Sequence, residues 1–234
     1  EAARGARVIY AATRLIDVAE IRRIARFRRS ELILSAVTAV GVILFGVLIG
    51  IGIAITLSLL DLLRRLAAPH DGILGYVPGM AGMHDIDDYP DAVQVPGLVV
   101  YRYDSPLFFA NAENFLARAN AAVDAADEPV KWFLLNAEAN VQVDLTAVDT
   151  LELLREELEA EGIVLALARV RLEIREQLEA AGFVARIGAD RIFATLPTAV
   201  AAYRAEMGIP DPRPDMGGPP PTEVDGGREK EDQR

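Results

Sequence analysis

Between Leu32 and Leu60 the chain runs for 29 residues without a single charge, and arginines stand on both sides of the run. Arg22, Arg23, Arg26, Arg28 and Arg29 precede it, and Arg64 and Arg65 follow it. About 20 apolar residues already cross the ~30 Å of hydrocarbon in a bilayer, and a single span normally leaves its basic flank on one side only. One straight helix over the whole run would be ~43 Å long, too long without strong tilt. Gly41, Gly46, Gly50 and Gly52 mark places where it can break. The expectation is a hairpin of two short membrane helices with its turn near Phe45 to Val47; one long tilted helix is the alternative. Hydrocarbon does not tolerate the bare backbone of such a turn, so the hairpin implies further membrane helices around it. A first residue of Glu1 rather than Met suits a chain whose upstream part is absent.

Charge divides the chain. Residues 1–31 carry eight arginines against four acids, net +4, whereas the whole chain is at −11, which leaves −15 for everything after them. Arginines beside an apolar run are drawn to the anionic cytoplasmic leaflet, which places both flanks of the hairpin in the cytoplasm. Cysteine is absent, which excludes disulfides and thiolate metal sites and fits a reducing compartment. The acidic soluble part lacks the clustered cations that displace counterions from phosphates, so nucleic acid is excluded as a partner. The position and length of the apolar run also argue against a cleavable signal.

Ahead of the hairpin, Val8, Ala12, Leu15, Ile16, Ala19, Ile24 and Phe27 recur at helical spacing. The reading is a helix that leaves the membrane and lies along its interface, with Arg14 and Asp17 at headgroup level or, alternatively, forming an intramembrane ion pair. Residues 67–96 change to Pro, Gly, Asp and His, and Pro69, Pro78, Pro90 and Pro96 exclude a long helix or central strand, which reads as a linker with some structure. Within it, His84 to Asp88 is either a metal cluster or, the reading preferred here, a solvated acidic loop without a second histidine at ligand spacing.

A domain of ordinary size is expected over 97–207. Leu98 to Tyr103 reads as a strand, Ser105 to Phe109 as a short second one, and Asn111 to Ala126 as an amphipathic helix with Phe115, Leu116, Ala119 and Val123 on one face. Lys131 to Leu135 and Ile163 to Ala168 read as strands buried on both faces, with helices over Thr146 to Ala160 and Arg171 to Ala181. Strands alternating with helices make an α/β domain with a sheet of four to five strands. Two helices end in the same wording, Leu158-Glu159-Ala160-Glu161-Gly162 and Leu178-Glu179-Ala180-Ala181-Gly182, where glycine permits the left-handed closing residue. Residues 208–234, rich in Gly, Pro and mixed charge, read as a disordered tail.

The run Leu98-Val99-Val100-Tyr101-Arg102-Tyr103-Asp104-Ser105-Pro106-Leu107-Phe108-Phe109-Ala110-Asn111-Ala112 resembles the opening of the STAS domain of sulfate permease (SulP) family anion transporters. Asp144-Leu145-Thr146-Ala147, Ala166 to Val170 and Ile187 to Phe193 are similar to its later landmarks, and Arg65 to His70 with the hairpin resembles the end of the membrane part that precedes it. The resemblance implies a membrane helical segment (1–66) followed by a STAS domain with a mixed sheet, in the inner (plasma) membrane with the STAS domain cytoplasmic. It implies the C-terminal part of a secondary transporter of sulfate or a related inorganic anion, working as a homodimer, with the STAS domain serving assembly and regulation. The family's anion site lies between discontinuous helices of the earlier membrane region, so no substrate residue is assigned here.

In STAS proteins that act as anti-sigma factor antagonists a hydroxyl at the start of this helix is phosphorylated, and Thr146, after Asp144, takes the corresponding place. Thr146 with Asp149 also fits a capping box, in which the hydroxyl satisfies an orphan amide. The partners expected are membrane lipid, the missing upstream helices, a second copy and a regulatory protein. A membrane-tethered STAS regulator is the alternative function. A membrane-anchored enzyme fares worst, because the sequence has no Walker loop, no nucleophile elbow and no histidine near a usable serine; no catalytic residue, cofactor or metal is expected.

Overall fold

The structure, a computed structural model, describes residues 29–210. The interfacial helix expected over Val8 to Phe27, with Arg14 and Asp17, lies outside the described residues, as does the tail beyond Pro210. The chain divides into two units, Glu1–Arg65 and Leu66–Arg234.

In the first unit, helix α1 (Arg29–Phe45) and helix α2 (Val47–Ala67) are separated by one residue, Gly46, at φ +83°. That left-handed value costs a residue with a Cβ about 1–2 kcal/mol and costs glycine little. The two helices then run side by side. A Cβ on Gly50 would stand 2.7 Å from the Val42 Cα, so the glycine is what lets the backbones approach. Further from the turn, Leu34, Thr38, Ala54, Ser58 and Leu62 line the groove between the helices. The helices are unequal: α2 is long and apolar enough to cross a membrane, whereas the apolar part of α1 covers only Leu32–Phe45. At 1.5 Å per residue those lengths are ~31 Å and ~21 Å. Two short helices were expected; the second is of full length.

The second unit is an α/β sandwich around a six-stranded mixed sheet in the order β2-β1-β3-β4-β5-β6. Strands β3 (Leu98–Tyr103), β4 (Trp132–Asn136), β5 (Val164–Ala168) and β6 (Ile192–Phe193) are parallel, while β1 (Asp71–Tyr76) pairs antiparallel with both β3 and β2 (Met83–Asp85). The expected four to five strands become six because residues 67–96, read as a linker, supply β1 and β2. Their prolines lie outside the strands, and Gly72 leaves room for the Asp85 carboxylate of the neighbouring strand, whose Oδ2 stands 1.9 Å from where a Cβ would be. Ser105 to Phe109 is not a strand; it makes one isolated bridge, Leu107 to Val143.

Helices α3 (Ala112–Asp124), α4 (Leu145–Ala160), α5 (Leu172–Ala180) and α6 (Phe183–Ile187) cover one face of the sheet, and α7 (Leu196–Met207) covers the other. The first core packs Tyr101, Tyr103, Phe133 and Leu167 of the sheet against Phe115, Leu151, Leu154 and Phe183; the second packs Trp132 and Leu134 against Val200 and Tyr203. The repeated helix ending behaves as its wording implies: Gly162 and Gly182 have φ +75° and +73°. At the first, Ile163 N–H reaches Leu158 O at 2.8 Å and Gly162 N–H reaches Glu159 O at 3.0 Å, the paired bonds of a Schellman ending. Ile209, which the sequence reading put in the tail, packs on the second core, and its N–H bonds to Arg204 O at 2.9 Å.

Candidate functional site

Parallel strands deliver their following loops to one end of the sheet, and in open α/β sheets that end is where sites are built. Here the loops after β3, β4 and β5 converge, together with the N-terminus of α4. Asn140, buried in the loop after β4, donates from Nδ2 to Ser105 O at 2.8 Å and Tyr103 O at 3.3 Å, tying that loop to the one after β3. Asp144 makes the second tie. Its Oδ1 accepts from Ala147 N–H at 2.8 Å, and its Oδ2 accepts from Phe109 N–H at 2.9 Å.

Asp144 is therefore the N-cap of α4, at φ −106° and ψ 176°, and the capping box expected of Thr146 and Asp149 is not formed. An N-cap must sit just outside the helix in extended backbone, and the carboxylate takes the first-turn amide that a threonine hydroxyl was expected to take. Thr146 lies one step inside the helix, exposed, with its carbonyl accepting from Thr150 Oγ1 at 2.8 Å. The structure thus brings Asp144 and Thr146 to one helix terminus and gives them different surroundings: the acid is engaged twice, and the hydroxyl faces solvent at the partially positive end of the helix. Two large apolar residues of this end of the sheet are exposed: Leu145, next to Thr146 in the chain, at 72%, and Phe109, whose N–H bonds to Asp144, at 71%. Sequence reasoning missed Phe109, whose only signal was its place in an apolar run.

Arg169, on the loop after β5, has φ +59° and pairs with Glu138 of the loop after β4. Asn111 is wholly buried beneath these loops. Among the described residues no three His, Asp or Glu side chains gather as metal ligands. The acidic stretch His84 to Asp88 is not a fully solvated loop either: Asp85 is 3% exposed and accepts from Arg102 Nη2 at 3.4 Å and from its own loop at Asp87 N–H at 3.1 Å, with His70 Nε2 3.3 Å away. Next to it, Asp71 accepts from Tyr101 O–H at 2.8 Å and from Arg118 Nε at 3.0 Å. Burial, then the Asp71 carboxylate, push the Tyr101 hydroxyl far above the usual phenol range, so it stays a donor.

A STAS domain family matches residues 89–199. A probable sulfate transporter of Mycobacterium tuberculosis is 61% identical over 87% of this chain and 36% of its own length. A sulfate transporter of Arabidopsis thaliana is 29% identical over 86% of this chain and 32% of its own. Among solved structures, the murine Solute Carrier 26 family member A9 anion transporter in the inward-facing state superposes with a TM-score of 0.72 at 18% identity, over 80% of this chain and 31% of that one, a likeness of fold. These relatives are transporters and membrane proteins. The chain carries a STAS domain and is similar, from its apolar helices through that domain, to sulfate transporters, spanning little more than a third of the length of the curated relatives it matches.

Proposed function

We propose that this chain is the membrane-exit and regulatory part of a secondary transporter of sulfate or a related inorganic anion. The supporting observation is the 61% identity to a probable sulfate transporter across 87% of the chain, from the apolar helices through the STAS domain. In this reading α1 and α2 close the membrane part, and the anion is held by helices upstream of them. The hairpin sits in the inner (plasma) membrane with the STAS domain in the cytoplasm, a sidedness that the arginines on both of its flanks support. The working unit is a homodimer, and the protein is not an enzyme. The test compares sulfate uptake in liposomes by this chain and by the same chain extended upstream to the length of its relatives. Uptake should be at background for the first and well above it for the second. Transport by the short chain, or no transport of any inorganic anion by the long one, defeats the reading.

The regulatory site in this proposal is the N-terminus of α4. A phosphate on Thr146 would add about −1.5 to −2 charge at the positive end of the helix, beside the Phe109 and Leu145 side chains, and so alter a docking surface. Exposure of Thr146 and prior engagement of Asp144 support it. Kinase labelling of the chain, with Thr146→Ala as control, checks it: label that persists in the variant removes Thr146 from the proposal.

A further inference from the structure

A cavity of about 280 Å³ lies between the second half of α3 and the strands β1 and β3. Alanine is the reason for it: α3 and its C-cap line it with Ala121, Ala122 and Ala125, which leave room that larger side chains would fill. Ile73 of β1 and Ile86 of the loop after β2 supply further apolar lining, joined by the bond from Ile86 N–H to Ile73 O at 3.0 Å. Three charged residues line the same cavity, Asp71, Asp87 and Arg118.

Arg118 is held in place from within the domain. The Asp71 side chain, 11% exposed, accepts from the Tyr101 hydroxyl at 2.8 Å, and each of its oxygens stands 3.0 Å from Arg118 Nε. Tyr101 is fully buried, so the phenol fixes the carboxylate and the carboxylate fixes the guanidinium. Only Nε of the arginine is used in this way. Among the described residues Nη1 and Nη2 have no hydrogen-bond partner, and the side chain is half exposed, so the fork that matches a carboxylate with two parallel bonds is left over. The hydrogen bond and charge of Asp71, with a smaller contribution from Asp87, hold the guanidinium above its usual value, which keeps it charged. Asp87 itself is exposed, and no cation is paired with its carboxylate among the described residues.

A simple anion at Arg118 is repelled by the two acids, and a simple cation at Asp87 is repelled by the arginine. A molecule that carries both charges can pair with both. We propose that this cavity is a binding site for a free α-amino acid with an apolar side chain: the ligand carboxylate takes the Nη1 and Nη2 donors of Arg118, its ammonium faces Asp87, and its side chain lies among Ile73, Ile86 and the alanines. The volume is just under that of pockets for drug-sized molecules, which suits a ligand of this mass. Asp71 and Tyr101 are positioning residues, which act on the ligand through Arg118. The site rests on its own geometry and requires neither the transport reading nor a modified Thr146.

The experiment is equilibrium dialysis of labelled L-leucine against the full chain in detergent. Leucine should bind, while isocaproate, which lacks the ammonium, and isoamylamine, which lacks the carboxylate, should each compete about tenfold more weakly, the ratio that a hydrogen bond to a charged group carries. Arg118→Lys keeps the charge but loses the fork, and should weaken leucine binding by about tenfold; Asp87→Asn should weaken it by about fivefold. Ala121→Leu with Ala125→Leu fills the cavity without altering a charge and should abolish binding. Both alanines are exposed, and the fluorescence of Trp132, the only tryptophan, reports that the domain remains folded. Competition by either single-charge analogue as strong as that by leucine, binding that survives in the filled cavity, or no binding of labelled leucine, valine or methionine at millimolar concentration defeats the proposal.

Discussion

The hairpin and the STAS domain are built from the same aliphatic side chains and treat them in opposite ways. Leu48 of α2 is 86% exposed and Ile43 of α1 81%, whereas Leu134 and Leu154 of the STAS domain are fully enclosed. In the STAS domain, charge on the outer faces of the helices and two sheet faces to cover bring the apolar residues inside. Each helix of the hairpin has apolar residues all round and, among the described residues, one helix beside it, so most of that surface is left for lipid or for other membrane helices. What the difference teaches is that burial of an apolar residue is decided by what surrounds its element, while the element itself is decided locally.

The sharpest break of this comparison is truncation of a large side chain in each region. Phe133→Ala should destabilise the STAS domain by about 3–5 kcal/mol, because it opens a cavity under α3 and α4. Leu48→Ala should leave that domain unmoved; the check is thermal unfolding of the chain in detergent, followed by Trp132 fluorescence. A second break uses the close approach in the hairpin. Gly50→Leu forces a side chain into Val42 and should part the helices, so that cysteines placed at Leu34 and Leu62 no longer cross-link in this otherwise cysteine-free chain.

Asp144→Ala should cost about 1–2 kcal/mol through loss of the cap and of the Phe109 bond, and Thr146→Ala should stay within about 0.5 kcal/mol, both read from urea unfolding of the chain in detergent. Equal effects would return the cap to Thr146. The smallest expected effect is on acid stability. Burial tends to raise the Glu152 carboxyl, but hydrogen bonds from Arg155 and Arg186 outweigh it and hold the group below its usual 4.5. A depressed folded value means that the unfolded chain takes up the proton first, so this contribution is present above pH 4.5 and is lost as pH falls below it. Glu152→Gln should flatten that part of the stability curve, measured as melting temperature against pH.

Much of the fold was legible. The turn of the hairpin was readable because one residue must pass through left-handed backbone and Gly46 can. Strands β3, β4 and β5 were readable as short apolar runs, and the Gly162 and Gly182 endings as repeated wording. Strands β1 and β2 were not, because glycine and aspartate have low strand preference; they form where Gly72 admits Asp85 from a strand 13 residues away, a fact of pairing rather than of local pattern. The candidate site was half legible. Asp144 and Thr146 were both named, but their roles were misallocated, since either can cap a helix and the choice depends on Phe109 reaching Asp144 from another loop.

The sequence by itself determined that an uncharged run between arginines demands an apolar surround, that an acidic α/β domain follows, and which transporters both resemble. These properties reside in local periodicity, charge and runs of residues that survive comparison. Only the tertiary structure decided that the apparent linker joins the sheet, that Asp85 is buried, and that Phe109 reaches Asp144. Hydrogen bonds between segments 35 residues apart, as between Phe109 and Asp144, depend on where the folded chain places their donors and acceptors, and no local pattern encodes that placement.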